Sequence, residues 1–404
     1  MTTLLLKHPS KYIIILLLSL TGCATTNSQT KQNNQNSILI HAARVFDGHS
    51  LRTDTSLLIS NGKVIQVDRR AVIHSEATKV IDLGDATILP GFIELHAHLA
   101  FQKVPEHIVL KHGITTIRDL GGPLHQPYGG DGSLRVLTAG SIITAPHGYP
   151  IPIFGLNDSV IPVTSEDQAR KIVNDLVEGG AVVIKVALEP GGEAGAPWAS
   201  GHHNHGHNKN KHNSHHQWPL LSEEIVTAIV DEAHKLNRKV TAHIGEAQGA
   251  EIALNSGVDE WAHMPCAVIP ENLLSRAVEQ QVTIISTIDT LSKCAGIFHN
   301  TKRLASLGAE ILYGAEIAHP DIPWGIDTQE LNYLKKLGNL SAIDTLKTVT
   351  SKAGKHLNYP LLGTLQSGAP ADIIAVKGNP LEKFKRLEYP DLVISGGKVI
   401  VNNF

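Results

Sequence analysis

Eight apolar runs, separated by stretches of helical spacing, most constrain what this chain can fold into. The first leads through Leu89-Pro90-Gly91-Phe92-Ile93-Glu94-Leu95 to His96-Ala97-His98. The others run 114–118, 134–138, 181–187, 239–244, 258–263, 282–287 and 310–314. Ser165-Glu166-Asp167-Gln168 opens one intervening helix with a capping-box pattern. Ile225, Ile229, Ala233 and Leu236 lie near helical spacing within 222–236. Strand–helix alternation of this length predicts an α/β fold, a (β/α)8 TIM barrel spanning 89–356, with a doubly wound sheet as the competitor.

The two ends have a different character. Residues 38–88 read as short strands and turns, with Asn61-Gly62 a strong hairpin signal because both residues tolerate positive φ. Residues 357–404 repeat that pattern at 371–376 and 392–400. Both ends are expected to assemble into one small composite β-sandwich domain.

The first 23 residues read as an export signal: Lys7 and Lys11, a short apolar run from Tyr12 to Leu20, then Leu20-Thr21-Gly22-Cys23. That ending resembles the bacterial lipobox, which implies a lipidated Cys23 anchoring an exported chain to a membrane. Ala24 after it points to the outer membrane, facing the periplasm. Residues 24–37, rich in Asn, Gln, Ser and Thr, read as a flexible tether. Charged residues make up 18% and the formal net charge is -3, which gives no reason to expect nucleic acid as a partner. Homo-oligomerisation is left open. An oxidising compartment would permit a Cys266–Cys294 disulfide; two free, partly buried thiols are the expectation.

Chemistry concentrates where the runs end. Side chains alternate along a strand, so His96 and His98 share a face and can aim two imidazoles at one ion. Lys185 lies inside the apolar run 181–187, where an unpaired ammonium is costly and needs a partner or a modification. The later runs end in His243, His263 and Glu316. Function in a parallel barrel sits at the carboxyl ends of the strands, so these six residues fall on one rim.

The motifs around these residues resemble the amidohydrolase superfamily of metal-dependent hydrolases, in its imidazolonepropionase-like and prolidase-like branch. The resemblance rests on Ala86 to His98, Gly113 to Gly122, Ile184-Lys185-Val186, Val240 to His243, Gly257 to His263 and Gly368 to Ile373. It implies hydrolysis of a C–N bond in a small substrate such as a dipeptide or cyclic amide. It implies one or two divalent metal ions, zinc or a related ion, on His96, His98, Lys185, His243 and His263, with Lys185 carbamylated as a bridging ligand. Glu316 would be the proton-transferring carboxylate, with His263 also in the catalytic set. The family places Asp at that position, so Glu316 is a departure. The rival reading is a non-catalytic, zinc-scavenging lipoprotein on a degenerate barrel.

Residues 201–217 contain seven histidines: His202, His203, His205, His207, His212, His215 and His216. The segment reads as a loop on the active-site side, either an auxiliary metal collector or low-complexity sequence that binds metal adventitiously. His147, Tyr149 and Arg118 are candidate substrate contacts. His125, Tyr128 and Trp198 also lie on loops. The substrate itself is not set by the fold.

Overall fold

The computed structural model describes residues 37–73, 77, 79–198 and 217–404. The expected export signal with Cys23, the expected tether up to residue 36 and the seven histidines of the 201–217 segment lie outside the described residues. Among the described residues, no helix is long and apolar enough to cross a membrane.

The chain begins with β1 (Ser37–Phe46), β2 (Leu51–Ser60) and β3 (Lys63–Arg69), an antiparallel meander. Asn61 and Gly62 turn β2 into β3 with φ of 50° and 75°, as the dipeptide predicts. β4 (Lys79–Asp82) and β5 (Ala86–Pro90) then run parallel to β1.

Ten parallel strands follow. They are β6 (Phe92–Ala97), β7 (Ile114–Asp119), β8 (Arg135–Thr138), β9 (Ile142–Thr144), β10 (Val160–Pro162), β11 (Val183–Leu188), β12 (Lys239–Ile244), β13 (Glu260–Trp261), β14 (Thr283–Ile285) and β15 (Ile311–Leu312). All eight expected runs carry strand, though those near 258–263 and 310–314 shrink to two residues each. The strands make two sheets, β6-β7-β8 and β10-β9-β11-β12-β13-β14-β15.

The third expected strand is bent, and the bend joins the sheets. β8 pairs with β7, whereas β9, just beyond Gly140 at φ 68°, pairs with β11. The Val182 N–H also donates to the Thr138 carbonyl at 2.9 Å. On the other side, Ala97 bridges to Ile317, and the His98 N–H donates to the Ile317 carbonyl at 2.9 Å.

Short helices α1 (Leu99–Gln102), α2 (Glu106–Lys111) and α3 (Ile151–Phe154) lie on early loops. The longer α4 (Glu166–Glu178), α5 (Glu223–Lys235), α6 (Ala247–Asn255), α7 (Glu271–Glu279), α8 (Ile297–Leu307) and α9 (Thr328–Leu337) follow, then α10 (Ala342–Thr348) and α11 (Ser351–His356). Ser165 caps α4 by accepting from the Gln168 N–H at 3.3 Å. Gln168 Oε1 reaches one residue further back than a standard capping box, accepting from the Thr164 N–H at 2.9 Å. α4 buries Ala169, Val173 and Leu176, one apolar stripe at helical spacing.

The C-terminal β16 (Ile373–Lys377), β17 (Leu392–Ser395) and β18 (Lys398–Asn402) return to the N-terminal strands. The order is β18-β17-β16-β5-β1-β2-β3, with β4 beside β1. Hydrogen bonding runs unbroken through this sheet because β5 pairs with both β1 and β16, and Lys63 at the start of β3 bridges to Pro370, just before β16. Ile40, Val45, Leu57, Ile59, Ile88, Ile373 and Ile394 share one core beneath it.

Polar groups cross the interior of the parallel strands. Arg118 of β7 donates from Nη1 and Nη2 to Glu260 of β13 at 3.0 and 2.6 Å, and from Nε to the Leu95 carbonyl at 2.8 Å. Thr241 and His356 also hold Glu260. Burial alone would raise the Glu260 carboxyl, but Arg118 and His356 override it and hold the group well below the usual range. Arg118 is therefore corrected from substrate contact to interior brace: it is 1% exposed and its donors are directed at Glu260 and Leu95.

Cys266 and Cys294 are also corrected, from free thiols to a disulfide with Cα atoms 4.9 Å apart. β13 and β14 are paired neighbours, so the loops leaving them emerge side by side. The Gly296 N–H donates to the Cys266 carbonyl at 2.7 Å, drawing the two loops together.

Removing one partner of a buried ion pair leaves the other charge uncompensated. Glu260→Ala should therefore lower the unfolding free energy by about 3–5 kcal/mol. The apolar double substitution Arg118→Met with Glu260→Leu should recover most of that loss. Urea unfolding midpoints compare the two; a double variant no more stable than Glu260→Ala would refute the charge argument.

Candidate active site

Six residues expected on one rim come from strand ends that the fold brings together. His96 is the fifth residue of β6, and His98 follows two positions on. His96 Nδ1 lies 2.7 Å from the Ala262 carbonyl, which can only accept, so Nδ1 carries the proton and Nε2 presents its lone pair. That Nε2 is 3.1 Å from His98 Nε2. Burial, reinforced by the Lys185 charge, holds both imidazoles well below their ordinary value, so both are neutral. His98 Nδ1 is buried without a hydrogen-bond partner.

Glu316 closes the group. Its Oε1 is 4.0 Å from His96 Nε2 and 3.8 Å from His98 Nε2, and its Oε2 is 3.8 Å from His263 Nδ1. One ligand atom each from His96, His263 and Glu316 lies within 4.8 Å of the others. Ligand atoms around a tetrahedral ion with bonds of about 2.1 Å sit roughly 3.4 Å apart, so small adjustments would let these residues close on one. Burial raises the Glu316 carboxyl, against the pull of Lys185. Thr287, Glu316 and Ala318 all take left-handed backbone, with φ of 41°, 63° and 95°. Clustered non-glycine residues of this kind are a feature of functional sites.

Lys185 on β11 is 1% exposed, and its Nζ has no hydrogen-bond partner. Burial drives its ammonium strongly toward the neutral amine, with the Glu316 carboxylate opposing. His243 is the fifth of the six residues of the adjacent β12. Its ring centroid is 4.6 Å from that of His263, and its Nε2 is 3.2 Å from Glu189 Oε2.

These groups border a cavity of about 1270 Å³ whose lining includes His98, Lys185, His243 and Glu316. Tyr149 also lines it, stacked on His243 at 4.4 Å. Trp198 lines it too, edge-on to the same ring at 4.6 Å. His147 is corrected: it is exposed and not part of the cavity lining, because the turn before Tyr149 carries it outward. His125 and Tyr128 are not part of the lining either.

Sequence reasoning missed three carboxyl groups. Glu94 is fully buried, accepting from the His96 N–H at 2.8 Å and the Ala315 N–H at 3.0 Å, so it ties the end of β6 to the loop carrying Glu316. Glu189 and Glu193 sit beside His243, and burial raises both to about 7. Glu94, inside an apolar run, carried the same signal as Lys185. Glu189 and Glu193 follow β11 in a glycine-rich turn and gave none.

No protein-family model matches the chain. The ochratoxinase of Aspergillus niger is 25% identical over 293 residues, covering 67% of this chain and 57% of that protein's length. Among solved structures, the same ochratoxinase superimposes with a TM-score of 0.71 at 18% identity, over 91% of this chain and 96% of that one. A Xaa-Pro dipeptidase with methionine bound in its active site gives a TM-score of 0.71 at 22% identity, over 90% and 99%. A prolidase complexed with N-methylphosphonate-L-proline gives 0.71 at 20%, over 91% and 100%. The chain shares the fold of these solved structures.

Burial pushes the Glu94 carboxyl up to about 8, despite the two N–H groups that favour its charged form. A raised acid favours folding in full below its unfolded pKa of about 4.5, and that contribution is lost as pH rises through about 8. Glu94→Gln keeps an acceptor and removes the titration. The stability of wild type relative to Glu94→Gln should fall between pH 5 and pH 9 in thermal melts; a constant difference would show that Glu94 does not titrate in that window.

Proposed function

We propose that this chain is a metal-dependent hydrolase of C–N bonds acting on a small amide or peptide. The observation that carries the reading is the convergence of His96, His98, His263 and Glu316 beside a buried, unpartnered Lys185. We read the two parallel sheets as one (β/α)8 barrel, β6 to β15, joined at the bent third strand and at Ala97–Ile317.

His96 and His98 would hold the more buried ion, and His243 and His263 the second. Imidazole nitrogen and carboxylate oxygen suit zinc among the divalent ions. An ion bound there supplies Lewis acidity and lowers the pKa of water. The drive of Lys185 toward the neutral amine favours carbamylation by carbon dioxide: an N–C bond forms, a proton leaves, and a buried anionic oxygen donor replaces the ammonium. Glu316, on the cavity wall with its carboxyl raised by burial, would accept a proton and pass it to the leaving nitrogen. The fold shared with solved hydrolases favours this reading over a degenerate scavenger. The disulfide supports an exported, oxidising location, consistent with the proposed lipid anchor on Cys23 and periplasmic placement.

Metal content of untagged protein tests the reading. About two ions per chain should remain after residues 202–216 are deleted, and fewer after His243→Ala. Glu316→Gln should lower kcat/KM on any amide found in a dipeptide and cyclic-amide screen by roughly 10²–10⁴-fold. Loss of nearly all metal with the deletion, and none with His243→Ala, would overturn the proposal in favour of metal storage on the histidine-rich segment.

A further inference from the structure

We propose that the cleft carries a subsite for a cationic group, a protonated amine of the substrate, on the Glu193 wall beside His243, facing an apolar wall beside His98. The inference rests on the amide-hydrolase reading and narrows its substrate class.

Glu193 lines the cavity and is 8% exposed. Its Oε2 accepts from the Trp198 indole N–H at 3.0 Å, and its carboxyl shares a side-chain hydrogen bond with that of Glu189. Glu189 converges on the same spot: a Cβ added to Gly245 would lie 2.1 Å from Glu189 Oε2 and 3.0 Å from Glu193 Oε1. Two carboxyls joined by a hydrogen bond share one proton, so the pair keeps one negative charge, and Glu193 presents it at the wall of the cleft.

The surroundings select what that donor is. Tyr149, Trp198 and Trp218 line the same part of the cavity. Tyr149 stacks toward Trp218 at 5.8 Å and meets Trp198 at 5.9 Å. Gly191, at φ 82°, lies so close to the Trp218 ring that a Cβ would be 3.0 Å from it. Aromatic faces beside a carboxylate favour an organic ammonium.

Among the described residues, no arginine lines the cavity. Of its two lysines, Lys185 is buried within the centre, and Lys293 is exposed and 3.9 Å from Asp321. Neither forms a fork for a substrate carboxylate. On the opposite side, Phe101 stacks on His98 at 4.7 Å and meets Phe154 at 5.3 Å, offering an apolar surface. The fitting substrate is an amide with a protonated amine on one side and an apolar group on the other.

Calorimetric titration of the full, metal-loaded chain with phenethylammonium, 2-phenylethanol and 3-phenylpropionate tests this without turnover. The ammonium should bind at least about tenfold more tightly than the other two. Glu193→Gln should reduce that preference to under about twofold, and Trp218→Leu should weaken the ammonium selectively. Equal binding of the three, or tighter binding of the carboxylate, would overturn the subsite. Loss of metal from Glu193→Gln would also overturn it, by assigning Glu193 to the support of His243. Because binding alone is read, failure to hydrolyse any amide would count against the proposed activity and leave this result legible.

Discussion

Taking charge out of water is the constraint on which the rest of this structure depends. The parallel strands enclose Glu94, Arg118, Lys185 and Glu260, each at 1% exposure or less. Arg118 and Glu260 answer the cost by neutralising one another across the interior, joining strands that are not neighbours in the sheet order. Glu94 answers it by keeping its proton, its carboxyl raised to about 8 by burial, while accepting from backbone N–H groups of two different segments. These satisfied groups build scaffold. Lys185 retains a buried amine without a hydrogen-bond partner, and it lies on the cleft.

Much of this was legible in the sequence, for identifiable reasons. Period-two alternation put His96 and His98 on one face, and the ends of the apolar runs brought His243, His263 and Glu316 to the same rim. Lys185 announced itself as a charge within an apolar run. Arg118 and Glu94 gave that same signal, but periodicity cannot say what a buried charge will meet. The partner of Arg118 lies 142 residues further along the chain. The disulfide depended on how two loops leave neighbouring strands, and Glu189 and Glu193 on a turn without periodic pattern. Sequence spacing reports orientation along one element well and contacts between loops poorly.

Glu316 shows how a longer side chain can be accommodated. Its extra methylene relative to Asp would displace the carboxylate if the backbone were extended. Here the residue sits in left-handed backbone, within a segment where Ala318 does likewise. The carboxylate reaches three imidazoles at nearly equal distances. The Glu94 acceptor on the Ala315 N–H, one residue earlier, fixes where that segment starts. Glu94 thus anchors the backbone one residue before the Glu316 carboxylate that faces the imidazoles.

The terminal sheet has a consequence for how the chain reaches its folded state. β5 lies between β1 and β16, and the Thr87 hydroxyl donates to the Gly378 carbonyl 291 residues away. Synthesis delivers β5 long before β16 exists. During that interval β5 presents an open edge of backbone donors and acceptors, a template for pairing with another chain. Pro90, opposite Ile373 in the finished sheet, removes one donor from that edge. The last strands to be made, β16 to β18, close that edge and take it out of reach of such pairing.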